Sequence, residues 1–335
     1  MIASNPSSVA TIIISPVILA VIGALFGLLY LGIDRKLVAH MQGRVGPPII
    51  QPFRDVEKLL MKESIIPDGA ILWLFKLAPI LCLMGSAVLL LYIPVFGQKA
   101  LFEGFGDVIL LLALLYIPSL AFVVAGFASS SPYATVGGQR EMVIMMGYEF
   151  PMSVVIVAIA WRILHVADAN AFMLSTIAAY PIWNLVGPVG IMGTLILLLV
   201  LLLVTPGELG KVPFDLAEAE TEIAGGLLVE YSGRNLALFY IANAIRAFAV
   251  LSLVVALFFP YNLSLLIGME ASAPAVVVDA LFFLLKVFLV MFVSVVLIRS
   301  AMARFKINQA TRVYVVIMTV ISLVGLILLW VDLIV

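Results

Sequence analysis

What most constrains this chain is the recurrence of uninterrupted apolar runs of about twenty residues, the length a helix rising 1.5 Å per residue needs to cross ~30 Å of hydrocarbon. Eight segments qualify: 11–33, 71–96, 108–127, 150–166, 186–204, 236–259, 276–298 and 313–335, the fourth being the shortest. A closed β-barrel is the other way to span a bilayer, but these runs lack apolar/polar alternation and exceed strand length. Composition agrees: 64% of the 335 residues are hydrophobic and 11% charged, with a mean hydropathy of +1.26. An ordinary globular chain carries about 25% charged residues to cover its surface. The expectation is an all-α, polytopic protein of about eight transmembrane helices, multi-pass in the cell membrane, with residues 1–335 forming one membrane domain. Met1–Ser8 holds no Lys or Arg. A secretory leader needs a basic start, so the first run is expected to be retained as a span.

Counting Lys and Arg orients the spans. Connections 34–70, 128–149, 205–235 and 299–312 together carry thirteen basic residues, against two (Lys99 and Arg162) on the other side. Both termini are therefore expected outside, with those four connections cytoplasmic. The net charge of −1 creates no global field for nucleic acid. One cysteine (Cys82) and two histidines exclude a disulfide framework and a private zinc or iron–sulfur site, so no metal or cofactor is assigned to this chain. No Walker loop, dinucleotide fingerprint, low-complexity linker or internal repeat interrupts the pattern.

The polar residues concentrate in the cytoplasmic connections. Gly43-Arg44-Val45-Gly46-Pro47-Pro48 is a turn of backbone specialists. After Gln51-Pro52, the apolar positions Phe53, Val56, Leu59 and Leu60 recur at helical spacing, with Asp55, Lys58 and other charges mostly elsewhere. That is the pattern of an amphipathic helix lying in the interface. It serves either as a basic membrane-surface anchor or as a docking platform for a soluble partner. In the next cytoplasmic connection Glu141 and Glu149 flank the apolar stretch Met142–Met146. They are either a surface Arg140–Glu141 pair plus an ordinary glutamate, or carboxyls near lipid depth able to hold a proton.

The fifth connection along the chain, 205–235, is the most informative. On a helix, Asp215, Glu218 and Glu222 would share one face at i, i+3 and i+7, with Glu220 turned away. Asp215 and Glu218 read as an N-cap and capping box. That leaves Glu220, Glu222 and Glu230 beside the apolar run from Ile223 to Val229, where acids must be protonated, paired or hydrated. Glu208 adds a sixth acid to this connection. Lys76, Arg246 and Lys286 lie inside spans. Lys76 is near enough to a helix end to snorkel. Arg246 and Lys286 are deep, where a charge costs about 2.5–3.5 kcal/mol unless it finds a carboxylate or water. They mark either a transport path or a static ion pair.

At Gly43–Pro48, Gln51-Pro52, Lys58-Leu59 with Lys62-Glu63, Gly138 through Glu149, and Pro213–Glu222 with Glu230-Tyr231-Ser232-Gly233, the chain resembles one family. It is the H-type membrane subunit of proton-pumping NADH:quinone oxidoreductase (respiratory complex I), with its relatives in energy-converting membrane-bound hydrogenases and sulfane sulfur reductases. The resemblance implies an eight-helix subunit at the junction of a peripheral redox arm and a membrane arm, holding no redox centre itself. Several of its helices would resemble half of an antiporter-like subunit. Its partners would be peripheral subunits carrying iron–sulfur clusters, an NiFe-like large subunit, and antiporter-like membrane subunits. Arg44, Gly46, Pro47, Gln51, Pro52, Asp55, Lys58 and Arg140 would belong to the docking surface. Asp215, Glu218, Glu220, Glu222, Glu230 and Glu149 would begin a charged path coupling redox chemistry to proton or sodium movement, joined on the residue reading by Glu141, Arg246 and Lys286.

Two departures bear on quinone. Gly46-Pro47-Pro48-Ile49-Ile50-Gln51-Pro52 is shorter than the matching stretch of quinone-type members, and Ala242-Asn243 stands where those members carry a glutamate–tyrosine. Both favour the hydrogenase and sulfur-reducing branch, a ferredoxin-linked complex, over a subunit forming a quinone tunnel. A stand-alone secondary ion transporter and a passive anchor are the readings from other classes. The terminal acceptor, and H⁺ against Na⁺, are not written in this sequence.

Overall fold

The structure, a computed structural model, describes residues 6–102, 108–165, 172–268 and 273–334. Every regular element among them is helical. In chain order these are α1 (Pro6–Met41), α2 (Gln51–Met61), α3 (Leu72–Leu91), α4 (Val108–Ala128), α5 (Pro132–Leu164), α6 (Leu174–Ala179) and α7 (Pro188–Glu208), followed by α8 (Glu220–Ile223), α9 (Gly233–Phe258), α10 (Leu263–Ile267) and α11 (Ala273–Met291). A π-helical turn at Phe292–Val296 leads into α12 (Leu297–Ala301), and a second at Arg312–Met318 joins α13 (Ile307–Thr311) to α14 (Thr319–Ile334). Among the described residues eight helical stretches are long and apolar enough to cross a membrane, as the hydropathy pattern predicts.

The bundle is organised around α9. From Ala244 to Phe258 every residue is buried, and all but Arg246 and Ser252 are apolar, as a helix enclosed on every face requires. It is flanked by α1, α3 and α11. Where α1 crosses α9, a Cβ on Gly27 would sit 2.0 Å from the Ala244 carbonyl oxygen, so glycine sets how closely the two axes approach. On the opposite side α7 packs on α14 and α5. One end of that layer is clasped by Asp332, which accepts from Arg162 Nη2 at 2.8 Å and from the amides of Gly187 (3.0 Å) and Gly190 (2.9 Å). The interfacial helix expected after Gln51 is α2; it turns Pro52 and Val56 inward and leaves Leu60 and Met61 exposed.

Two sequence expectations are corrected. The fourth span does not begin at 150. It starts at Pro132, which suits the first helical turn because its missing N–H has no partner there, and runs 33 residues. At 1.5 Å per residue that is about 50 Å, so α5 takes in Gly137–Glu149, read from sequence as a connection. Glycine and charge suggested a loop. In the fold Gly137 lies where a Cβ would come within 2.7 Å of Leu227 N and 2.9 Å of Ala217 O, so the glycine serves close packing.

The second correction concerns 211–222. Asp215, Glu218 and Glu222 share no helical face, and there is no capping box at Asp215. Helix begins only at Glu220, with Ala219 as N-cap and no side-chain cap bond. Pro213 lacks a donor and the carboxylates are drawn to partners on other elements. The stretch instead folds inward: Leu216, Ala217, Ala219, Ile223, Leu227 and Tyr231 are all buried. Tyr231 stacks on Phe75 with ring centroids 4.0 Å apart.

Candidate functional site

The inward fold of 209–232 brings charged side chains from five elements to one place. At its deepest point is Arg246, thirteen residues (about 20 Å) into α9. Its guanidinium donates to Glu208 Oε1 through Nε (3.1 Å) and Nη2 (2.9 Å). Nη2 also donates to Ser119 Oγ at 2.7 Å and Tyr148 Oη at 3.3 Å. Arg246 and Glu208 are only 3% and 2% exposed. A buried cation held by one carboxylate and two hydroxyls is satisfied, and its planar fork fixes the orientation.

Beside this pair is a cavity of about 40 Å³ lined by Glu141, Lys211, Asp215, Glu218, Asn243 and Arg246. A water occupies roughly 10–15 Å³ on this measure, so about three fit. Glu218 has an exposed side chain, but it faces this protein-walled space. The protein atoms crowded around this space partly desolvate its carboxyl and push it above the ordinary carboxylate range, with Lys211 opposing the shift. Burial pushes the Lys211 ammonium below its ordinary range, opposed by Asp34. Proton affinities of an acid and a base facing one small cavity are thus drawn toward each other.

Around the cavity the remaining charges form defined pairs. Asp215 is gripped by Arg304, at 2.7 Å from Nε and 2.6 Å from Nη2, and Arg304 Nη1 also donates to Thr221 at 2.9 Å. Glu222 accepts from Arg140 Nη1 at 2.5 Å, so Arg140 pairs across to the fifth connection and not with its neighbour Glu141. Asp34, 2% exposed on α1, accepts from Arg299 Nη1 at 2.6 Å and keeps Oδ1 without a hydrogen-bond partner among the described residues. Glu149 is half-buried on α5. Glu220 is exposed and Glu230 half-buried; neither makes a hydrogen bond or ion pair with the described residues.

Lys286 stands apart. It donates to the carbonyls of Phe259 and Tyr261, both at 2.8 Å, thirteen and fifteen residues beyond Arg246. That places it about 20 Å farther along the α9 axis. Asp279, the acid nearest it in sequence, is bound instead to Ser264, through the amide (2.8 Å) and the hydroxyl (2.6 Å).

In the first connection Asp55 accepts from Arg35 Nη1 (3.0 Å) and Gln51 Nε2 (2.8 Å), tying α2 to α1. Arg44 donates to Gln42 and is exposed, as are Lys58 and the fully exposed Val45. Gly46 and Pro47 are half-buried and Pro52 is buried. With Ile50, Met61 and Ile65 also more than half exposed, this rim presents apolar and basic groups together.

Ser119, Tyr148 and Asp34 carry the site but are not singled out by the sequence, and Glu208 registers there only as one acid of a connection. A hydroxyl in an apolar run gives no periodic signal. Asp34 lies one residue past the apolar run, and Glu208 follows Pro206-Gly207, which reads as a helix end. Among the described residues no three His, Cys, Asp or Glu side chains gather as a metal site would require. What the cluster does is hold paired charges inside the protein.

A family model for NADH dehydrogenase matches residues 14–330. The chain belongs to that NADH dehydrogenase family. It is 34% identical over 276 residues to hydrogenase-4 component C of Escherichia coli (strain K12), covering 82% of this chain and 83% of the relative. It is 33% identical to the H-type subunit of NADH-quinone oxidoreductase from Brevibacillus brevis, covering 82% and 79%. The same identity relates it to an H-type subunit of that enzyme from Koribacter versatilis, over 67% of this chain and 55% of the relative's length. A chain in the solved structure of the membrane-bound sulfane sulfur reductase, an archaeal respiratory membrane complex, shares the fold with a TM-score of 0.81. That match covers 95% of this chain and 99% of the other at 24% identity. This NADH dehydrogenase family member is thus a multi-pass protein of the cell membrane, and its relatives are parts of multi-subunit respiratory membrane complexes.

Proposed function

We propose that this chain is the membrane coupling subunit of a ferredoxin-linked redox complex of the membrane-bound hydrogenase or sulfane sulfur reductase kind. It anchors a peripheral arm whose subunits carry the iron–sulfur clusters and the NiFe-like centre, and it links electron transfer there to proton or sodium movement through antiporter-like membrane neighbours. The observation that carries this reading is the Arg246–Glu208 pair opening onto a small cavity shared with Glu141, Lys211, Asp215 and Glu218. Glu218 and Lys211, an acid and a base with converging proton affinities beside a space large enough for water, can relay charge in response to an event at the surface.

In this reading the rim of 42–65 and the loop of 211–230 receive the soluble arm. A change there alters the Arg140–Glu222 and Arg304–Asp215 pairs, and with them the water and charge reaching Glu218, Lys211 and Arg246. Glu141 and Glu149 extend the relay along α5, and Glu220 and Glu230 border its outer side. Lys286, about 20 Å beyond Arg246, lies outside the relay within this chain.

The 34% identity to the hydrogenase component over most of both chains fits this branch as well as the other. The branch is supported by the size of the cavity beside Asn243: about 40 Å³ admits water, whereas sites for small organic ligands run to roughly 300–1,000 Å³. The similar identity to NADH-quinone oxidoreductase subunits keeps a quinone-linked complex as the second reading. Purifying the complex, identifying its subunits and assaying its acceptors separates the two. A nickel-binding or sulfur-reducing large subunit with ferredoxin-driven activity upholds the first; stoichiometric reduction of ubiquinone or menaquinone overturns it. Ion transport by liposomes containing this chain alone would contradict both.

A further inference from the structure

Between the outer pair Arg304–Asp215 and the buried pair Arg246–Glu208 runs a line of aromatic rings. Beside the outer pair, the amide of Phe305 donates to the Pro213 carbonyl at 3.1 Å, and the Phe214 and Phe305 ring centroids are 5.4 Å apart. The connection carrying Arg304 is thus tied to 213–215 by backbone, ring and ion pair at once. Phe214 in turn packs on Tyr314, with centroids 4.4 Å apart. Tyr314 meets Tyr148 edge-on at 6.2 Å. Tyr148 ends the line: its Oη stands 3.3 Å from Arg246 Nη2 and 3.1 Å from Ser119 Oγ.

Tyr314 reaches both sides of the buried pair. Its hydroxyl lies against α7 where a Cβ on Gly207 would collide with it, one residue before Glu208. On its other side is Tyr148, which with Glu208 and Ser119 surrounds the Arg246 guanidinium. Tyr314 is fully buried, whereas Val315, Val316 and Ile317 after it are exposed. It sits on the π-helical turn of Arg312–Met318, and such turns occur mostly as local insertions in helices, frequently at functional sites. Its carbonyl accepts from Thr319 Oγ1 at 3.1 Å. Rings packed this closely do not move singly: a shift of Phe214 must be taken up by Tyr314, and then by Tyr148 or the end of α7.

We propose that Tyr314 is a positioning residue for the Arg246–Glu208 pair, transmitting to it whether Arg304 holds Asp215. The inference rests on the reading that a surface event reaches Arg246, and it names the side chain that carries the event inward. While Arg304 grips Asp215, Phe214 is held against Tyr314, Tyr148 stays within reach of Arg246, and Glu208 keeps its place at the end of α7. Release of Asp215 frees Phe214, Tyr314 follows it, and the Tyr148 hydroxyl withdraws from the guanidinium. Ring contact alone carries this step, so no proton or electron crosses the rings.

The test uses the intact complex with Tyr148 replaced by 3-fluorotyrosine and read by fluorine NMR. Arg304→Gln is expected to shift the resonance by more than its linewidth. The response should persist when Tyr314→Phe is added, which keeps the ring, and vanish with Tyr314→Leu. Phe214→Leu, which breaks the line one ring earlier, should abolish it too and decides the matter if Tyr314→Leu does not assemble. In proteoliposomes Tyr314→Leu should lower the ions moved per electron several-fold, with the wild-type ratio restored by Tyr314→Phe. Glu218→Gln measured alongside separates the two claims: a lowered ratio there with a wild-type ratio in Tyr314→Leu overturns the role of Tyr314 alone. A wild-type ratio in Glu218→Gln removes the relay reading, and the fluorine response still decides whether Tyr314 transmits. No response at 148 to Arg304→Gln, or the same response with Tyr314→Leu and Phe214→Leu as without them, would overturn the proposal.

Discussion

At the scale of single residues, the site depends on one buried cation keeping its acid. Removing one partner of a buried ion pair typically costs about 3–5 kcal/mol, because the other charge remains uncompensated. Glu208→Gln is therefore expected to lower the thermal midpoint of the purified complex and loosen this subunit. Glu208→Gln combined with Arg246→Met should regain most of the stability, since the double variant buries no charge. Differential scanning of the two variants checks this. Glu218 gives a pH signature. Its carboxyl is raised in the fold, so its contribution is fully present below the unfolded value of about 4.3 and is lost as pH rises through the folded value. Thermal scans of Glu218→Gln should match wild type near pH 4 and show a higher midpoint in neutral and alkaline buffer. A constant difference across pH would contradict that environment. The sequence reveals Arg246 because a charge inside an apolar run must be answered by something. It does not reveal that the answer is Glu208, Ser119 and Tyr148, because partners that meet across three helices leave no local pattern.

At the scale of elements, the decisive contact is the start of α5 against the inward fold of 211–232. Gly137 permits it: a Cβ there would meet backbone atoms of Leu227 and Ala217, and backbone cannot swing aside. Overpacking of this kind costs about 1–3 kcal/mol. Gly137→Ala should speed amide exchange across 217–228 while α7 and α9 stay protected, as hydrogen-exchange mass spectrometry would read. Unchanged exchange there would mean that the contact does not hold the loop. The interfacial helix α2 was legible because Phe53, Val56, Leu59 and Leu60 carry its period. The loop was not, because in sequence Pro213 followed by spaced acids resembles a helix start. Only the Arg304 and Arg140 side chains from elsewhere make another path better. The length of α5 was hidden by its polar, glycine-rich first half, whose function is close packing.

At the scale of the whole molecule, the spans follow directly from apolar runs that no soluble fold could cover, and the fold has eight such helices among the described residues. Orientation rests on the asymmetry of Lys and Arg and is open to a direct check, since Cys82 is buried and should not react. A membrane-impermeant maleimide should label Val45→Cys only from the cytoplasmic side and Gln98→Cys only from the other; the reverse pattern would invert the topology. The cavity lined by Lys211 and Glu218 and the cavity lined by Lys99 and Lys286 then lie toward opposite ends of the spans. The most direct measurement is the number of ions moved per electron by the intact complex in proteoliposomes carrying Glu218→Gln. The account predicts that electron transfer persists while ions per electron fall several-fold; a wild-type ratio would contradict it.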